Sequence, residues 1–442
     1  MSRVRADRYT DRAGTGSPTF SEGVNVVGVS SLGITTVTGV GQTALTVNGD
    51  ARITGVLTVG QGSVTIDGTS GSSSITGVTT VGINSAYLDS INNLNYPTAG
   101  PLSNRNLIIN GAMNVAQRGT SFTSTSSGYK LDRFRFGDSS PGIFDVVRSS
   151  TAPAGFSNSL KVDCTTTVTP SGFEEMFIET KIEAQDLQHL QYGTSGAQSV
   201  TLSFHVKSNK TGSYGLWVYQ EDAASQYATT YTISSADTWE YKTITIPGNT
   251  AAVIDDDTGT GLNIRFYLLA GSNYAGTPAE TWTTTLTSNR TTSLNLGDNT
   301  ANEWLITGVQ LEVGTRATPF EHRSEGDELA RCRRYYYRIY SQSSYNPYGF
   351  GWNNTVSTGQ AIVQHPVEMR AAPSSMDYSN IASGVLGVSD VLVTTAALNT
   401  GTNGKLMSAV NTSSSTNSFT TGFFTLIAKQ TTSSYIGFEA EL

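Results

Sequence analysis

Charge is scarce in this 442-residue chain: Asp, Glu, Lys and Arg make up 14% of it, against roughly 25% in an ordinary soluble domain. What charge there is leans acidic, 35 Asp and Glu against 27 Lys and Arg, for a net of −8. An acidic surface repels the phosphate backbone, so nucleic acid is excluded as the main partner. Cysteine is nearly absent, only Cys164 and Cys332, which rules out a disulfide framework and leaves stability to cores and assembly. Four histidines are scattered without a His-x-x-x-His or Cys-x-x-Cys spacing, so zinc-type ligation is excluded. There is no run of about 18 apolar residues, hence no membrane-inserted helix. The opening Met1 to Tyr9 carries charge with no apolar stretch behind it. It does not read as a secretory signal, and the expectation is a chain made in a cytoplasm and assembled there. Gly259-Thr-Gly261 lacks a helix behind it and reads as a turn, not a phosphate cradle.

What is abundant is glycine, 45 residues, with Ser and Thr throughout. Short strands, many turns and uncharged hydroxyl faces give such a composition, so the fold class expected is all-β. Residues 1–22 are polar and Arg-rich, have no periodicity, and would order only against a partner. Residues 23–100 hold a repeat: Ile53-Thr-Gly-Val-Leu-Thr-Val-Gly60 returns as Ile75-Thr-Gly-Val-Thr-Thr-Val-Gly82, an offset of 22 residues. Each unit offers one thin apolar face that needs a neighbour to cover it. A single-chain solenoid and three intertwined chains both satisfy that need. The few copies favour the trimeric shaft. Within 85–94, Tyr87, Ile91 and Leu94 fall on one face of a short helix that Ser85 can cap and Pro97 stops. From 101 to 323 longer strands alternate with period two, as in Val200-Thr-Leu-Ser-Phe-His-Val-Lys207, which predicts a β-sandwich of jelly-roll type. Residues 324–442 open on a capping box at Ser324 and a short helix. They continue as a small second β domain with strands at 335–340, 359–367, 388–395 and 423–429, and a polar loop over 411–418.

Three segments carry a resemblance. Val4-Arg-Ala-Asp-Arg-Tyr-Thr-Asp-Arg12 and the residues to Phe20 resemble the opening of tail-fibre and virion structural proteins of cyanophages and related tailed phages. Asn106-Leu-Ile-Ile-Asn-Gly-Ala-Met-Asn114, with Leu131-Asp-Arg-Phe134 and Trp304-Leu-Ile-Thr-Gly-Val-Gln-Leu-Glu-Val-Gly314, is similar to the carbohydrate-binding-module-like jelly roll of such fibres. Glu328 to Arg334 and Pro366-Val-Glu-Met-Arg-Ala-Ala-Pro373 are similar to their C-terminal module. The resemblance implies a virion fibre, assembled in the host cytoplasm and held to other virion proteins by Arg3, Arg5, Arg8, Tyr9 and Arg12. It implies a homotrimer that carries domains towards host-surface glycan or lipopolysaccharide. A neck, tail or capsid appendage without receptor binding is the alternative.

No residue pattern demands catalysis. Glu174 and Glu175 are neighbours in sequence, and on a strand they would face opposite sides, so they are not expected to act as the paired carboxylates of a glycosidase. The chain is expected not to be an enzyme, with a polysaccharide depolymerase as the remaining option. No cofactor is expected. Asp255-Asp256-Asp257 has the oxygen ligands for a structural Ca²⁺, or is a solvated turn. Sugar rings stack on aromatic faces, which singles out Trp217 with Tyr219, Trp239 with Tyr241, and Tyr348 with Trp352. Any one of these is equally a core residue. The aromatics from Tyr335 to Trp352 could serve a ligand or a contact between chains.

Overall fold

The computed structural model describes residues 103–442 apart from 140–141, 285–288, 344, 385–389, 417 and 429–432. The anchor residues, the repeat-built segment and the helix expected at 85–94 lie outside the described residues.

The fold is all-β, in line with the composition. Strands β1 (Ser121–Phe122), β2 (Gly128–Leu131), β3 (Phe134–Asp138), β4 (Phe144–Ser149), β5 (Ser159–Cys164) and β6 (Glu175–Glu183) come first. A 3-10 turn at Ala184–Leu190 leads to β7 (Val200–Ser208), β8 (Gly212–Gln220), β9 (Ser225–Ile233), β10 (Glu240–Ile246), β11 (Thr260–Ala270) and β12 (Glu303–Val313). They form two six-stranded antiparallel sheets, ordered β1-β4-β5-β12-β7-β10 and β2-β3-β6-β11-β8-β9. Their inner faces share one core. Leu202, Phe204 and Val206 of β7 meet Ile264, Phe266 and Leu268 of β11 there, with Trp304 and Phe136 between. Burying each such side chain contributes roughly 1.5–3 kcal/mol.

The edge strand β10 alternates cleanly between exposed and covered positions, whereas the central strand β12 is buried on both faces. That explains why its sequence does not alternate. The hydroxyl-bearing side of β7 is covered as well. Thr201 and Ser203 are buried, and Thr201 donates to the Gly314 carbonyl. A bulge between Thr307 and Gln310 interrupts the pairing of β12 with β7. Gly308 sits there at φ +64°, and a Cβ would come 2.7 Å from the Phe156 ring. Both free cysteines are buried.

The second part opens with α1 (Glu325–Arg333). The Asp327 N–H donates to Ser324 Oγ at 3.2 Å, acids fill the first turn and Arg331 and Arg333 the last, as the helix dipole favours. Strands β13 (Tyr336–Tyr340), β14 (Pro347–Asn353), β15 (Thr358–Gln364), β16 (Ser375–Ser379), β17 (Ile381–Gly384), β18 (Val391–Leu392), β19 (Thr395–Leu398), β20 (Met407–Ser413), β21 (Gly422–Ala428) and β22 (Tyr435–Glu439) follow. A three-stranded sheet runs β13-β22-β16 and a seven-stranded one β18-β17-β21-β14-β15-β20-β19. The edges β18 and β19 are separated in sequence only by Val393 and Thr394, so the larger sheet curls until its edges meet. Two expectations change. The strand expected over 388–395 is broken, because the buried Val393 carries the chain from one edge to the other. Asn411, Thr412 and Ser413 end β20 rather than starting a loop, because they pair with β15.

The two parts meet through arginines. Arg133 lies 3.4 Å over the Tyr335 ring, pairs with Glu441 and donates to the Lys181 carbonyl at 2.6 Å. Arg118 lies 3.6 Å over Tyr336 and 3.2 Å from Glu441. Arg334 grips Glu183 with two bonds of 2.7 and 2.8 Å, and the Tyr335 hydroxyl donates to the same carboxylate. Burial acts to raise the Glu183 pKa, but the bonds from Arg334 and Tyr335 hold it below the ordinary carboxylate value. A carboxyl with a depressed folded pKa contributes stability above its unfolded pKa, about 4.3, and loses it as pH falls through the lower folded value. We expect the melting temperature to drop in that acid window. Glu183→Ala should cost about 3–5 kcal/mol at neutral pH, because it strands buried donors. Urea midpoints at neutral pH and pH 3 check both outcomes.

A candidate glycan-binding face

Strands β3, β6, β11 and β8 send alternate residues outward from their sheet, and the register sets those residues in a row. Arg135 pairs with Glu179, Glu179 with Arg265, and Arg265 with Trp217. Beside this row Gly137 pairs with Phe177 and Phe177 with Tyr267. Gly137 is required there, since a Cβ would come within 2.2 Å of the Phe177 ring.

Glu179 is the electrostatic centre. Its carboxylate accepts from Arg135 at 2.8 Å, Arg265 at 2.8 Å and Asn263 at 2.9 Å. Burial works to raise its pKa, but Arg265 and then Arg135 outweigh it and keep the group ionised below the usual range. Arg265 is also clamped by rings, its guanidinium 4.1 Å from Phe177 and 4.7 Å from Trp217. Arg290 covers the same indole at 5.4 Å and Tyr274 at 4.9 Å. The Tyr267 hydroxyl donates to Glu175 at 2.9 Å, and Phe173 stands out beside Tyr274, 73% exposed. The result is a floor of fixed charges and rings, with only Trp217 and Tyr219 stacked face to face. Its cations outnumber its carboxylates by one: Arg135, Arg265, Arg290 and Lys181 against Glu175, Glu179 and Glu221.

The six aromatics singled out from sequence fall in three places. Trp217 and Tyr219 share this face and stack at 4.8 Å with 9° between planes. Only Tyr219 is open, however. Trp217 is 3% exposed, donates its N–H to Gln226, and supports the arginines rather than meeting a ligand. Tyr241 lies on β10 of the other sheet, and Trp239 just precedes that strand. Tyr241 is 49% exposed and 4.9 Å from His205, above Gly308 and near Phe320. Burial holds His205 below its ordinary pKa. Tyr348 and Trp352 are on β14 in the second part. Tyr348 points into the core there and is closed to a ligand, while Trp352 is outside. Tyr335 and Tyr336 are buried where the two parts meet.

Asp255, Asp256 and Asp257 line an exposed turn. Asp257 accepts from the Gly259 N–H at 2.8 Å, and the Asp255 N–H donates to Asp222. Among the described residues no three His, Cys, Asp or Glu side chains group around a common point.

Arg135, Glu179, Arg265 and Arg290 were not anticipated. The signal was present: Arg265 is a lone charge inside the apolar run Leu262–Leu269, and Glu179 stands with Lys181 among the apolar residues of Met176–Ile182.

No protein-family model matches the chain, and no curated protein does. Solved structures that resemble it include the enzymatically active domain of tailspike protein 4 of bacteriophage CBA120, at 14% identity and TM-score 0.28 over 49% of this chain and 24% of that one. They include TmCBM61 in complex with β-1,4-galactotriose, at 10% identity and TM-score 0.25 over 47% of this chain and 99% of that one. They also include the family 11 carbohydrate-binding module from Clostridium thermocellum, at 10% identity and TM-score 0.23 over 45% and 96%. This chain thus spans about a quarter of the tailspike chain.

Removing Arg265 leaves Glu179 with one arginine. Arg265→Leu should cost about 3 kcal/mol, read as a lower denaturant midpoint with an unchanged slope.

Proposed function

We propose that the chain is a non-enzymatic fibre protein of a phage particle, working as a homotrimer whose β-sandwich binds an acidic host-surface glycan such as lipopolysaccharide. The observation that carries the glycan reading is the cross-strand row Arg135, Glu179, Arg265 and Trp217. It holds charge-assisted donors rigid beside the one open ring, Tyr219, so a sugar would meet a preorganised surface at little ordering cost. The excess of arginine and lysine selects sugars bearing carboxylate or phosphate. The virion setting rests on the sequence resemblances at residues 4–20, 106–134 and 304–373. Three copies would raise a weak site by avidity.

A second reading, a structural appendage without a receptor, is favoured by one observation. The large rings are already covered, with Trp217, Phe177 and Tyr267 all buried. Calorimetry of the full chain with lipopolysaccharide and acidic polysaccharide separates the two. Binding is expected, weakening with salt as screening shortens to about 10 Å at 0.1 M. Tyr219→Ala and Arg290→Ala should each lose about tenfold in affinity, near 1.4 kcal/mol, while Tyr241→Ala changes nothing. Absence of heat with every acidic glycan would favour the appendage, and released oligosaccharide would show a depolymerase.

A further inference from the structure

The curled seven-stranded sheet has an inside and an outside, and the outside is wrong for water. Alternate residues of β14, β15, β20 and β21 point inward, with Val363, Val410, Phe424 and Leu426 forming the core. Their outward neighbours should be polar. Instead Phe423 is 80% exposed, Phe350 72% and Trp352 46%, with Ile362 and Met407 also exposed. The register makes these one patch. Trp352 pairs with Phe423, and Phe350 with Ile362. With about 150–250 Å² per aromatic side chain, the three rings alone leave about 400 Å² of apolar surface open. That lies within the roughly 300–600 Å² of the largest patch on a monomer, where such patches are often functional.

Two observations decide what covers it. None of the four strands holds an Asp, Glu, Lys or Arg, so the face suits an equally uncharged partner and does not repel its own copy. The Trp352 and Phe423 rings meet edge-on, 4.6 Å apart at 89°. They therefore make no flat platform for a pyranose, and no fixed charge stands among them to bind its hydroxyls. We infer that this outer face is where a second copy of the same chain packs, sheet against sheet, in the assembled protein. The inference rests on the homotrimer reading for the number of copies; the contact itself follows from the face.

The test is proximity across copies. In the full chain, Trp352→Cys and, separately, Thr425→Cys are treated with a short bis-maleimide, with light scattering run in parallel. The native cysteines are buried and inert. Covalently joined chains are expected from both variants, and none from Phe173→Cys, which is on the sandwich. A trimer by scattering with no cross-link at either position would overturn this interface and leave the homotrimer standing. A monomer by scattering would overturn both. Protection of either cysteine by added glycan, in an otherwise uncross-linked chain, would assign the face to a ligand instead.

Discussion

The two described parts of the chain are held in relation by a few buried arginine–carboxylate pairs. Glu441 and Glu183 each receive arginine across the join between the sandwich and the C-terminal strands. Taking a charge out of water costs several kcal/mol, and only a partner with good geometry offsets it. Such pairs therefore contribute little net attraction but penalise any other arrangement heavily. A sequence with little charge has placed much of it where misplacement is most costly. The tyrosines beneath Arg133 and Arg118 add a second requirement, that the guanidinium planes lie flat on the rings.

The same device recurs on the sandwich face. Glu179 is shared by two arginines, and rings clamp one of them from both sides. Side chains on separate strands thus become a fixed array whose geometry does not depend on a ligand. The curled C-terminal sheet follows the opposite logic: no charge, and rings left open.

How much of this could be read from the residues depends on distance along the chain. Alternation at Val200 to Lys207 or Leu262 to Leu269 is a local property, and it marks strands with an inner and an outer face. The cap at Ser324 is equally local. Which strands lie side by side is not local. Glu179 and Arg265 are 86 residues apart, and only the pairing of β6 with β11 brings them together. What covers the outer face of β7 is not local either, since the Gly314 carbonyl that accepts from Thr201 is 113 residues away. Trp217 and Tyr348 illustrate the same limit, since composition identifies an aromatic but not what lies over it.

The sandwich is also sewn shut between remote segments. The Asn106 side chain donates to the Val309 carbonyl across 203 residues, and the Leu107 N–H to the Leu311 carbonyl. Closing a loop of that size is entropically expensive and must precede the contacts that reward it, so such topologies fold slowly. Slow closure has a counterpart in slow opening when those contacts form late, after the transition state. Where those contacts form late, the sandwich persists through its unfolding rate more than through a high equilibrium stability.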